Sequence, residues 1–260
     1  MASRMPFNGM KFLYRKMNIE QHNTEIYQNI KVWNTKKTLQ SCYQSFYKLI
    51  AEELILGDGF TVELGSGMGN IKSVIPHCIT TDLFANPWLD RHENAYRLSF
   101  GSKELDNLIL FDVWHHLQYP GSALEEFSRV LKKGGRIIIF DPAVSLLGCI
   151  VVGLFHHEPL ALEQAIQWSM PEGVDIKNMP YYAAQGNAHR VFQRKEFLLE
   201  NFDLLKLKRF SAFSYVMSGG FSHRQLYPDS LLGLILRTER LMDIFPSLFA
   251  TRILIVLNKK

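Results

Sequence analysis

The spacing of apolar positions changes several times along the chain, and each change marks an element. From Thr24 to Leu56 the residues Ile26, Ile30, Trp33, Leu39, Tyr43, Phe46, Ile50 and Leu54 recur every three or four positions, which predicts amphipathic helices. Thr24 is placed to cap the first helix, and Gly57 and Gly59 to end the second. The pattern then tightens into short apolar runs at Phe60 to Leu64, Cys78 to Leu83, Leu105 to Val113 and Arg136 to Phe140. Such runs suit parallel strands buried on both faces. Between them come a short helix at Asn70 to Pro76, a short strand around Glu93 to Leu98, and an amphipathic helix from Ser122 to Lys132. Alternating strands and helices of this kind predict an α/β domain with a mostly parallel sheet.

Beyond Pro142 the pattern loosens. Ala143 to Phe155 is the longest apolar run but too short to cross a bilayer as one helix. Val144 to Arg190 is too long for a plain loop, so it reads as a lid, with a buried helix or an apolar mouth as its two readings. Phe192 to Asn201 reads as a helix, Leu204 to Tyr215 as a strand, Leu231 to Phe249 as helix and Arg252 to Leu257 as a final strand. This divides the chain into a helical cover over residues 1–56, a core over 57–142, a lid over 143–190 and the rest of the core over 191–260. Met1 to Glu20 carries no period and reads as an irregular lead-in.

Composition narrows the classes. With 29 Lys+Arg against 25 Asp+Glu the chain is only mildly basic, without the concentrated basic stripe of a nucleic-acid binder. Its three cysteines are far apart with no paired spacing, which gives no support to a disulfide framework or zinc cluster and fits a reducing cytosol.

The chemistry lies where strands end. Glu63-Leu64-Gly65-Ser66-Gly67-Met68-Gly69 runs from a strand into a glycine turn, where backbone can approach a ligand and amide groups at a helix start can meet it. A second acidic strand end, Asp82, follows at about the distance of a ribose-binding carboxylate. Here the sequence resembles the class I S-adenosylmethionine-dependent methyltransferases, whose first motif reads acidic-x-Gly-x-Gly-x-Gly. Asp112-Val113-Trp114-His115-His116-Leu117, and the Glu-Glu-Phe-x-Arg-Val-Leu-Lys-Lys-Gly-Gly-Arg run behind it, resemble later motifs of the same family. The resemblance extends from Phe60 to Pro142.

The resemblance implies a doubly wound, mostly parallel, seven-stranded Rossmann-like sheet, with an N-terminal helical cover and a lid after the fifth strand. It implies S-adenosylmethionine as cofactor. Gly65, Ser66, Gly67 and Gly69 would pass backbone along its methionine and ribose, with Glu63 at the loop or the amino-acid end and Asp82 on the ribose hydroxyls. Leu83, Asn94 and Ala95 would flank adenine, although Asn94 stands where the family carries aspartate. Phe111 and Asp112 would close the methionine side, and one of Tyr27, Trp33 and Tyr43 would line the site or all would pack in the core.

His115 and His116 are the candidate bases, because imidazole titrates near neutral pH, and at most one of two adjacent residues faces an acceptor. His156-His157-Glu158 and His189 in the lid are further candidates. No metal is expected, since Asp112 and Asp141 alone are too few oxygen ligands for magnesium. The expected partner is a small or lipid-like acceptor, with no nucleic acid, in the cytoplasm with peripheral membrane contact through the apolar lid. Two other functions compete: a NAD-dependent oxidoreductase, disfavoured because the last glycine comes one position early for Gly-x-Gly-x-x-Gly, and a non-catalytic cofactor-binding relative.

Overall fold

A computed structural model of the protein describes residues 14–15, 19–156 and 158–260. Strands β1 (Phe60–Leu64), β2 (Ile79–Asp82), β3 (Arg91–His92), β4 (Leu105–Phe111), β5 (Leu131–Pro142), β6 (Phe202–Phe210) and β7 (Arg252–Lys259) form one sheet. Its order is β3-β2-β1-β4-β5-β7-β6. The first five strands run parallel, and β7 inserts antiparallel between β5 and β6.

Successive side chains of a strand point to opposite faces, and here both faces are buried. Leu108 and Leu110 of β4, Ile137 and Ile139 of β5, and Ile253 and Ile255 of β7 pack beneath helix α3 (Pro120–Val130) through its Ala123, Leu124 and Phe127. Ile109, Phe111, Ile138, Phe140 and Leu254 face the other way. There they meet Leu39, Tyr43, Phe46 and Ile50 of α2 (Lys37–Ala51), which lies behind α1 (Ile19–Thr35) in the chain. Burying Phe46 and Phe140, each contributing about 2–3 kcal/mol, anchors α2 to the sheet at a 5.0 Å ring separation.

Several boundaries differ from the sequence expectation. The first helix starts at Ile19, so Thr24 lies inside it and caps nothing, and the second ends at Ala51, before the two glycines. The helix after the glycine turn is only a 3-10 turn, Asn70–Ser73, closed off by Pro76. No strand spans Glu93 to Leu98. The Asn94 side chain accepts from the Tyr96 amide and Glu93 accepts from Ser99, which folds the segment into a turn. The helix expected from Phe192 is a short π-turn, His189–Gln193, stopped by Lys195 at φ +55°. Past β6 the chain turns at Ala212 (φ +41°) into α5 (Phe213–Ser218). Leu231 to Phe249 is split by Pro246 into α6 (Leu232–Met242) and α7 (Pro246–Phe249). Most of the lead-in lies outside the described residues, but Tyr14–Arg15 pairs antiparallel with Tyr181–Tyr182.

Helix α4 (Leu146–Phe155) follows β5, capped by Ser145 Oγ, which accepts from the Gly148 amide at 2.9 Å. It is not the buried helix the apolar run suggested. Only Gly148 and Val152 are buried, while Leu146, Ile150, Leu154 and Phe155 are exposed.

Candidate active site

In a doubly wound sheet ligands lie beyond the carboxyl ends of the strands where the order reverses; here that point falls between β1 and β4. The two strand ends nearly touch. A side chain on Gly65 would place its Cβ 2.4 Å from Val113 Cγ2, and Gly65 sits at φ +66°, so only glycine fits.

The turn is stapled to β2. Ser66 N–H donates to the Thr81 carbonyl (2.7 Å), and the Thr81 amide donates to Ser66 Oγ (3.1 Å). Gly67 N–H donates to Asp82 (3.1 Å), and Gly69 N–H to the Ser66 carbonyl (2.9 Å). The sequence suggested open amides at a helix start. Instead the Ser66, Gly67 and Gly69 amides all have partners within the protein, and the helix behind them is too short to present an N-terminus. What the turn leaves over is Glu63. Its carboxylate is buried and Oε2 has no hydrogen-bond partner. Burial lifts the carboxyl to about 8 against the hydrogen bond from Ser66, with Asp82 adding to the rise. A buried, half-satisfied carboxylate costs energy that a bound donor or cation would recover.

Asp82 is buried as well. Its Oδ1 accepts from the Leu83 amide (2.7 Å), and His22 Nε2 of α1 stands 3.6 Å from the same oxygen. Burial raises its carboxyl, opposed first by His22 and then by the backbone amides. Helix α1 therefore covers the turn: His22 lies against Phe84 (4.9 Å) and Tyr27 against Trp88 (5.0 Å), whose Nε1 donates to the Gly67 carbonyl (2.8 Å). Trp33 and Tyr43 pack on each other in the core. His22 and Trp88 escaped the sequence reading, because neither belongs to a motif.

The remaining cofactor candidates sit differently from one another. Leu83 is exposed beside Asp82, and Ala95 packs against the core. The Asn94 amide donates to the Ile176 carbonyl (3.1 Å), so both ends of its side chain are engaged. The Phe111 ring is turned into the core and stacks on Phe140 at 5.2 Å. Asp112 is held at φ +54° and ion-paired with Arg252, which lies over the Tyr215 ring at 4.7 Å. Such a backbone conformation costs about 1–3 kcal/mol and persists where the surroundings enforce it.

Beyond Asp112, a short turn (Trp114–His116) presents both histidines, their rings 3.9 Å apart. His115 Nδ1 donates to Asp141 Oδ1 at 2.9 Å, a fully buried carboxylate at the end of β5. His116 Nδ1 donates to the Tyr182 carbonyl at 2.9 Å. The segment after α4 is folded onto them: the Ala184 amide donates to the His115 carbonyl (2.9 Å), and the Gln185 amide to the Pro159 carbonyl (3.0 Å). This brings Glu158 within 3.7 Å of His115 Nε2, and Tyr181 Oη within 3.1 Å of His116 Nε2. Tyr181 donates to Glu158 Oε1 (2.7 Å), and Gln185 donates to Oε2.

Burial alone would lower the His115 imidazole, but Asp141, then Glu158 and Asp112, outweigh it and raise it. Burial and the neighbouring His115 push His116 down to about 3, so it is neutral. Burial would raise Glu158, yet the two histidines and the Tyr181 hydroxyl bring it to about 2. Both predicted histidines thus enter one cluster, and from the lid candidates Glu158 joins them. His156 Nδ1 stands 3.8 Å from Glu158, His189 bonds Gln193 instead (3.0 Å), and His157 lies outside the described residues.

Residues 63–139 match a family model described as a methyltransferase domain. Among solved structures the chain is similar to one from the complex between the Haloferax volcanii Trm112 methyltransferase activator and the putative methyltransferase, at 10% identity and TM-score 0.51, over 94% of this chain and 99% of that one. It is also similar to a SAM dependent methyltransferase from Archaeoglobus fulgidus, at 12% identity and TM-score 0.50, over 85% and 94%. A SAM-dependent methyltransferase from Thermotoga maritima, a possible histamine N-methyltransferase, aligns over 90% and 99% at 15% identity and TM-score 0.49. At these identities the likeness is one of fold. No curated protein matches the sequence.

Proposed function

The chain is a class I S-adenosylmethionine-dependent methyltransferase, and on that premise we propose that it methylates a hydroxyl group of a small hydrophobic or lipid-like molecule. The observation that carries this reading is the buried cluster of His115, His116, Glu158 and Tyr181 beyond the ends of β4 and β5. A hydroxyl is a weak nucleophile until its proton is taken, and of the two imidazoles His115, raised by Asp141 and Glu158, is suited to taking it near neutral pH, whereas His116 is too weak a base. Asp141 orients His115 as the third member of such an arrangement does.

S-adenosylmethionine supplies a methyl group already activated on a sulfonium. The protein's work is therefore to hold, align and exclude water. The unpartnered Glu63 oxygen supports a role toward the cofactor's ammonium or the loop around it. Asp82 is the ribose acceptor in this reading, with Leu83, Asn94 and Ala95 toward adenine and α1 closing over the turn. Arg252 holds Asp112 on the methionine side.

Residues 143–190 act as the lid that selects the acceptor. The exposed apolar face of α4 supports an apolar mouth, with peripheral membrane contact as its consequence. No helix among the described residues is long and apolar enough to cross a membrane. A panel of hydroxyl, amine and carbon acceptors on one apolar skeleton, read by demethylated-cofactor release, tests the reaction type. Turnover confined to the hydroxyl series is expected; turnover confined to amines would replace this reading. Liposome flotation tests the membrane contact, and absence of binding to every lipid composition would remove it.

A further inference from the structure

The two histidines at the acceptor end share a feature that general-base chemistry does not need. Each has its Nδ1 hydrogen fixed on an acceptor: Asp141 Oδ1 for His115 and the Tyr182 carbonyl for His116, both at 2.9 Å. A carbonyl can only accept, so the His116 Nδ1 carries the proton and its Nε2 offers a lone pair. Outer acceptors of this kind orient metal-binding imidazoles and raise their basicity. One donor atom from each of His115, His116 and Glu158 lies within 4.8 Å of the others. His115 Nε2 and Glu158 Oε2, at 3.7 Å, are too far apart for a good hydrogen bond. That separation suits two ligands that each stand about 2.0–2.2 Å from a common ion.

We propose that His115 Nε2, His116 Nε2 and the Glu158 carboxylate bind a divalent transition metal ion of the zinc or iron(II) class. Two imidazoles and one carboxylate favour such ions, whereas magnesium seeks oxygen ligands. Tyr181 and Gln185 hydrogen-bond the Glu158 oxygens and set the carboxylate's orientation. Three protein ligands leave a position for water or an acceptor oxygen, as in catalytic rather than structural sites. A second trio, Asp112, His115 and Asp141, is equally compact, but Asp112 already holds the Arg252 guanidinium, whose charge would oppose a dication there.

The inference deepens the hydroxyl-acceptor reading but replaces its base: an imidazole whose Nε2 lone pair is coordinated takes no proton, and the bound ion would instead acidify the hydroxyl that coordinates it, whose proton passes to water; it rests on that reading for the ion's purpose only.

The test uses the full chain, purified without a polyhistidine tag, stripped with chelator and titrated with cobalt(II), which reports through its visible absorption. Zinc content after loading and desalting gives the stoichiometry. One equivalent per chain is expected. Asp141→Asn, which keeps the side-chain shape, should weaken cobalt binding about 10–100-fold. His116→Ala and Glu158→Gln should weaken it more than that, and His77→Ala, at an exposed histidine, should leave it unchanged. Calorimetry with S-adenosylmethionine verifies that each variant is folded. A cofactor-binding wild-type protein that takes up no stoichiometric cobalt or zinc would overturn the inference, as would variants that bind cobalt like wild type. If the hydroxyl reading alone is wrong, the metal binds with these dependences while no hydroxyl acceptor turns over.

Discussion

The two ends of the crevice, donor and acceptor in the proposed reading, are built by opposite means. At the donor end, Glu63, the glycine turn and Asp82 belong to one strand-turn-strand unit, and their polar groups mostly satisfy one another. At the acceptor end, His115, Asp141, Glu158 and Tyr181 arrive from separate stretches of chain, and the bonds of the Ala184 amide to the His115 carbonyl and of His116 to the Tyr182 carbonyl hold them together. A methyl donor common to many reactions can be gripped by a contiguous motif. An acceptor that differs from enzyme to enzyme needs a site that a movable segment completes.

If this division holds, variants at the two ends should fail in different ways. The largest effect is expected at the acceptor end: Glu158→Gln and His116→Ala should lower kcat by about 10²–10⁴-fold and leave S-adenosylmethionine affinity intact by calorimetry. Parallel losses of cofactor affinity would merge the two ends. Asp82→Ala should do the reverse. It removes a charged hydrogen-bond acceptor, a loss of about 1.5–3 kcal/mol, and so weakens cofactor binding roughly 10–100-fold while kcat at saturating cofactor largely survives. Gly65→Ala strains a positive-φ position and presses on Val113. The expected cost is about 1–3 kcal/mol, read as a lowered unfolding midpoint together with weakened cofactor binding.

The smallest effect is a proton. Because burial lifts Glu63 to about 8, the cofactor-free protein carries it protonated at neutral pH. A raised folded value favours folding fully below the ordinary carboxylate range, and that contribution is lost as pH rises through about 8. Glu63→Gln should flatten the decline in stability over that window. A cofactor ammonium beside Glu63 would ionise it, so binding near pH 7 should release up to one proton, measured by calorimetry in buffers of different ionisation heat. Uptake or no exchange would place the cation elsewhere.

The same contrast explains what the sequence disclosed. Apolar runs such as Leu105 to Phe111 revealed the buried strands, because a strand covered on both faces has no polar side to hide its period. Glu63, Asp82 and the glycines were legible because a turn needs particular residues at fixed spacing. The fate of the turn's amides was not, since it depends on Thr81 and Asp82 folding back across it. The packing of the Phe111 ring on Phe140 was likewise not legible, since it depends on the neighbouring strand. Glu158 as the partner of His115 rests on lid packing, and no local spacing encodes it. His22 reaches Asp82 only through the docking of α1.

A crystal structure with the demethylated cofactor bound tests the division most directly. The account predicts the cofactor between Glu63 and Asp82 beneath α1, with its sulfur facing the cluster of His115, His116 and Glu158. A cofactor whose sulfur turns away from that cluster, or that lies clear of Glu63 and Asp82, would contradict it.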